Sequence, residues 1–294
     1  MKWGRLAVLL PLLAPAALAA QGAPAPADGA IVVTAKGQSL DPAVVTRQAR
    51  GVTRETDLRD EPLPRFDDFA CPGSIGLSTE FAQELIGRIR EVAHDLHVPL
   101  APNGNCHANV IVAFVEDGRA DMAAIQKKTN LLSDVLDVAE RKELLDEPGP
   151  TRVLSVVERR MQNGAAVPRR KNLTDIPSAT MEGGQSLIST GTARHITQVI
   201  VLIDRAQAAG KTVRQLADYA VMRVFARTRD AKGAGAPVSI LSLFDGGASP
   251  PEGMTAFDRA YLAALYEGPS HVNGFSKLLR VSKKLEKMKV TDEE

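Results

Sequence analysis

Apolar residues first fall at helical spacing at Phe81, Leu85, Ile89, Val92 and Leu96, a stripe that predicts a helix over about 79–97. Ser78 or Thr79 caps its start, and Pro99, Pro102 and Gly104 break the chain after it. Residues 109–115 are almost continuously apolar, the pattern of a strand buried on both faces. Residues 121–145 read as one or two charged amphipathic helices stopped by Pro148-Gly149-Pro150, and 153–157 as a strand. Periodicity is then lost over 163–190, where Gly, Pro, Ser and Thr dominate and a long loop is predicted. It returns at 195–204, whose apolar end is strand-like. Thr212 caps a helix over about 212–227 carrying Leu216, Tyr219, Ala220, Val224 and Phe225. After the 239–244 segment and a Gly/Pro-rich turn, Thr255 opens a helix with Asp258 in capping-box position. A Lys/Arg-rich amphipathic helix over about 271–289 follows, with Phe275, Leu278, Leu279, Leu285 and Met288 on its apolar side. Strands scattered among helices in this order predict an α+β fold with a small mixed sheet and several helices.

The N-terminal pattern is of another kind. Lys2 and Arg5 precede an apolar stretch at 6–18 that only Pro11 and Pro15 interrupt, and Ala17-Leu18-Ala19-Ala20 offers a peptidase site. Residues 1–20 therefore read as a secretory signal peptide, with the periplasm or the exterior as the destination. The stretch is shorter than the roughly 20 uninterrupted apolar residues of a membrane span, and no later segment is long enough either. Residues 21–65 combine a Pro/Ala run with charged sequence of little periodicity, so a flexible leader is expected before a single domain over 66–290. Within it, Gly29-Ala30-Ile31-Val32-Val33-Thr34-Ala35 resembles the TonB box of outer-membrane receptors, or reads as a β-prone segment packing on its own domain.

Composition narrows the partners. The chain has 36 basic and 35 acidic residues, and removing Lys2 and Arg5 with the signal leaves 34 against 35. A near-neutral protein has no global field for nucleic acid, so none is expected as a partner. Cys71 and Cys106 are the only cysteines. In an oxidising compartment they read first as a disulfide closing a loop of about 35 residues, worth about 3 kcal/mol. Metal ligation with His94, His97 and His107, and free thiols, are the alternatives. Arg169-Arg170-Lys171 reads as a solvated run or an anion contact. The basic face at Lys277, Arg280, Lys283, Lys284 and Lys287 reads as solvated or as resting on anionic lipid. No Gly-rich phosphate loop and no G-x-S-x-G elbow occurs, and no cofactor is expected.

From Ala193 to Gly268 the order is strand, loop, helix, loop, Ser239-Ile240-Leu241 turn, then a helix from Met254-Thr255-Ala256-Phe257-Asp258 to Leu265-Tyr266-Glu267-Gly268. This resembles the C-terminal half of metzincin-type zinc peptidases, and it is similar to an uncharacterised family of exported bacterial proteins with a degenerate zincin-like domain. The resemblance implies an edge strand shaping a substrate cleft and a helix carrying two His ligands and a catalytic Glu. It also implies a Ser-Ile-Met turn under the metal and a final helix of the Leu-Tyr-Gly type.

The helix departs from that pattern. His-Glu-x-x-His works because residues four apart share a face, so that both imidazoles reach one metal and the Glu activates its water. Arg214-Gln215-Leu216-Ala217-Asp218 occupies those positions, and the helix holds no His. The expectation is a non-catalytic, exported zincin-like protein that binds a peptide or envelope component beside strand 195–203. Two alternatives stand beside it: a hydrolase with a non-zinc site near His195 and Asp218, and an accessory protein of outer-membrane transport. Arg214, Gln215, Asp218 and His195 are the candidate site positions, against a plain surface Arg214–Asp218 pair. Tyr219, Tyr261 and Tyr266 read as core aromatics with polar tips.

Overall fold

The computed structural model describes residues 41–102, 106–168, 174, 178, 188–231, 238–246 and 250–291. The signal segment, the 29–36 island and the 169–171 basic triplet lie outside them.

The apolar run at 109–115 becomes β2 (Val110–Val115), and the residues around it explain why it does not alternate. It lies between β1 (Pro72–Ile75) and β4 (Thr192–Asp204), parallel to both, with Val110 opposite Val199. β3 (Thr151–Met161) pairs antiparallel with β4 on the far side, with a register shift between Val156 and Val157. The sheet order is thus β1-β2-β4-β3. One face presents Val110, Val112, Phe114, Val199, Val201 and Ile203 to the main core. The other presents Ala113, Leu154 and Leu202 to a smaller one. A strand sealed on both faces needs apolar residues at successive positions rather than at alternate ones.

The smaller core is closed by α3 (Gly118–Lys128), α4 (Leu131–Val135) and α5 (Val138–Asp146), through Met122, Leu132 and Leu144. Three helices stand where one or two were expected. The breaks fall at Asn130 and at Asp137, whose side chain forms a capping box with Glu140. On the opposite face lie α1 (Pro42–Val52), α2 (Thr79–Asp95), α7 (Val213–Phe225), α8 (Ala256–Tyr266) and α9 (Gly274–Thr291). The short α6 (Arg205–Ala208) leads from β4 towards α7. Every residue of α7 from Gln215 to Phe225 is buried, so this is the central helix of the molecule.

The expected leader is corrected over 41–65. Asp41 caps α1 with Pro42 in the first turn, and Val45, Ala49 and Val52 are sealed in the main core. The charged stretch behind it is paired: Arg54 N donates to the Arg227 carbonyl, and Glu55 binds Arg194 at 2.6 Å and Arg227 at 3.0 Å. Leu63 and Phe66 are buried as well.

The strand at 195–203 is interior. β3 covers one edge of β4, while the other is filled by β2 and by Arg65, whose main chain bonds Arg194 and Ile196. Cys71 and Cys106 form a disulfide, with their Cα atoms 6.2 Å apart. Among the described residues no helix is long and apolar enough to cross a membrane.

Candidate functional site

α7 begins at a capping box in which Thr212 and Gln215 satisfy each other's end of the turn. Gln215 Oε1 accepts from Thr212 N at 3.0 Å, while its Nε2 donates to the Pro251 carbonyl at 2.8 Å. Gln215 therefore staples the turn before α8 onto α7. Asp218, one turn on, is 0% exposed. Its carboxylate accepts from Arg88 Nε at 2.6 Å, from Arg214 Nε at 3.0 Å and from Met254 N at 2.7 Å. A Cβ on Gly253 would stand 2.6 Å from Asp218 Oδ2, so the turn approaches this carboxylate as closely as only glycine allows. The Arg214–Asp218 pair is thus not the surface pair expected as the plain alternative: Asp218 is an interior acceptor joining α2, α7 and the turn before α8.

Asp258 does the same work one layer further on. It accepts from Ser239 Oγ at 2.5 Å, Ile240 N at 2.8 Å and Thr255 N at 2.9 Å, so it pins the Ser239-Ile240-Leu241 turn to the start of α8. Burial raises its pKa above the usual carboxylate range, and those hydrogen bonds oppose the rise.

His195 lies elsewhere. It sits on β4 opposite Glu158 of β3 and is 7% exposed. Its Nδ1 is 3.6 Å from Asp67 Oδ2, and both atoms are buried without a hydrogen bond. Burial lowers the imidazole pKa, with Asp67 acting in the opposite direction. Among the described residues His195 and Asp218 share no partner and make no hydrogen bond or ion pair with each other. Arg214, Gln215 and Asp218 are brought together, and His195 is not with them. Among the described residues no group of three or more His, Cys, Asp or Glu side chains is placed to hold a metal ion.

Sequence reasoning missed a buried charge network. Arg223, whose side chain is 0% exposed, donates to Glu147 at 2.8 Å and stands 3.6 Å from Asp230, which accepts from Tyr219 Oη at 2.6 Å. Arg54 closes the other side of Glu147. Burial pushes Glu147 up, but Arg223 and Arg54 together hold it below its ordinary range. Burial wins at Asp230, whose pKa is raised despite Arg223. Both carboxylates line a pocket of about 320 Å³ with Glu143, Asp146 and Arg229. The available signal was Arg223, a charge amid the apolar residues of α7.

A groove of about 930 Å³ runs along β3 from Val157 to Arg160, with Ala166 and Val167 on its other wall. β3 is the outermost strand. Among the described residues its backbone between Val153 and Arg159 has no strand partner on the outer side, the bridge of Arg160 with Ala166 marking where that edge closes.

Fold and site together define an α+β protein with a four-stranded mixed sheet, a buried central helix and β3 as an outer strand of the sheet. No family model matches the chain, and no curated protein or solved structure matches it either.

Proposed function

We propose that this is an exported, non-catalytic binding protein on a degenerate zincin-like scaffold, and that it takes an extended peptide of an envelope protein along the outer edge of β3. The observation that carries the reading is that, among the described residues, the outer edge of β3 has no strand partner beside the 157–160 groove. An added strand gains main-chain hydrogen bonds there, and the groove supplies room for alternate side chains. The expectation of a cleft beside strand 195–203 moves by one strand, because β4 is interior and β3 is the edge.

Support for the scaffold comes from the order of elements. An antiparallel edge strand neighbours β4, β4 leads through α6 to α7, and the Ser-Ile-Leu turn and α8 follow. The absence of catalysis rests on Arg214, Gln215 and Asp218, all committed to packing where metal ligands and a base would stand. The Cys71–Cys106 disulfide fits an oxidising compartment. A reading as an accessory of outer-membrane transport rests on 31–35, outside the described residues.

Selection of a displayed peptide library on the purified protein tests the proposal. Extended, β-prone peptides are expected to be enriched, and Ala166→Trp, which fills the groove, is expected to lose them while keeping the thermal midpoint. Equal enrichment on the parent and the Trp variant would remove β3 as the binding edge.

A further inference from the structure

Helix α9 runs back along α8 and carries Arg280, Lys283, Lys284 and Lys287 at intervals of three and four residues, so the four share one stripe. They line a pocket of about 280 Å³ whose acidic lining residue, among the described residues, is Glu267 at the end of α8. Lys284 Nζ donates to Glu267 Oε1 at 2.7 Å, and this contact holds the Glu267 carboxyl below its ordinary range. Lys284 is therefore matched. Among the described residues neither Arg280 nor Lys283 makes an ion pair.

Lys277 belongs to the same sequence stripe but not to the pocket. It is 2% exposed, and its ammonium donates to the main-chain carbonyl of Glu267. Arg65 takes the neighbouring carbonyls of Leu265, Tyr266 and Gly268. The carbonyls at the end of α8 are thus already satisfied by Lys277 and Arg65, and the four pocket residues are not needed for them. Like charges three and four residues apart repel, and an anion among Arg280, Lys283 and Lys284 would relieve that repulsion.

We propose that this pocket binds a phosphate group, carried either by a small soluble molecule or by a lipid headgroup. Arg280 offers a planar fork of donors, and the lysines offer point charges around it, the usual means of holding phosphate oxygens. A volume of about 280 Å³ suits a single phosphate with its immediate attachment better than a large organic ligand. The site lies on α8 and α9, and none of its lining residues belongs to β3, so it stands or falls independently of peptide binding.

The purified protein is titrated calorimetrically with inorganic phosphate at low salt. In parallel it is sedimented with vesicles of phosphatidylglycerol and phosphatidylcholine in equal parts, and with phosphatidylcholine alone. Saturable phosphate binding without vesicle retention supports the proposal with a soluble source. Retention by the anionic vesicles only supports it with a lipid source. In either case the Arg280→Gln/Lys283→Gln double variant is expected to bind about tenfold or more weakly, and added salt to act in the same direction. The charge-matched control Lys127→Gln/Lys142→Gln, at exposed positions on α3 and α5, is expected to bind like the parent. Binding of neither probe, or an equal loss in the control, overturns the proposal.

Discussion

Three donors converge on the Asp218 carboxylate, and two of them are guanidinium groups reached from α2 and from α7 itself. Removing one member of a buried pair leaves the other charge without compensation, which costs about 3–5 kcal/mol. Asp218→Asn is expected to lower stability by that amount in urea unfolding, and adding Arg88→Met to recover most of the loss. A change under about 1 kcal/mol would return Asp218 to the class of surface pairs. Lys277 makes a prediction with a pH axis. Burial, with Arg65 and Arg280 nearby, pulls its pKa down from the usual lysine value of 10.5 to about 7. Between those two values the unfolded chain holds a proton that the folded chain has released, so stability rises with pH across that window. Lys277→Met is expected to flatten this rise relative to the parent when unfolding is followed from pH 7 to 10. An unchanged slope would place the ammonium in water.

The elements stand or fall with their ends. Thr212 with Gln215 and Thr255 with Asp258 form capping boxes legible as Thr-x-x-Gln and Thr-x-x-Asp. Asp258 has a second role that spacing does not reveal, since it also holds Ser239 and Ile240 from across a turn. Asp258→Ala removes a cap and orphans two buried donors, so a loss of about 2–4 kcal/mol is expected in chemical denaturation. A loss near that of the cap alone, about 1 kcal/mol, would mean that the turn keeps its place unaided. α1 is the element that the sequence concealed. Its apolar side is only Val45, Ala49 and Val52, spaced by four and three, inside a stretch of charges. Those charges look solvated in the sequence because Glu55 meets Arg194 and Arg227 only in the fold, more than a hundred residues away. A chain beginning at residue 39, where the compact unit starts, is expected to unfold cooperatively. One beginning at residue 66 is expected to show no cooperative transition, because the core then lacks the α1 side chains and Leu63.

At the scale of the molecule, the Cys71–Cys106 bond ties the entry to β1 to the approach to β2. Replacing both cysteines with serine is expected to cost about 3 kcal/mol, read as a lower denaturant midpoint, mainly through the freed loop of the unfolded chain. An equal midpoint in parent and variant would show that the bond adds no net constraint. The positions of α2, β2, α7 and α8, and the pairing of the two cysteines, were legible because each depends on local signals: periodicity, caps and a count of two. The continuous apolar run of β2 even carried its tertiary meaning, since only a strand covered on both faces tolerates it. Of the candidate site, the sequence showed that Arg214, Gln215 and Asp218 share one helix. That residues 214–218 hold no His pair is a fact of the sequence alone. What these residues meet was decided by long-range contact: Arg88 on Asp218, Asp67 rather than Asp218 beside His195, and Glu147 between Arg54 and Arg223. The placing of β4 inside the sheet and of β3 at its edge is of the same kind. Side-chain pattern reports which faces of a strand are buried, but strand order depends on pairings between distant segments, and only the folded chain makes them.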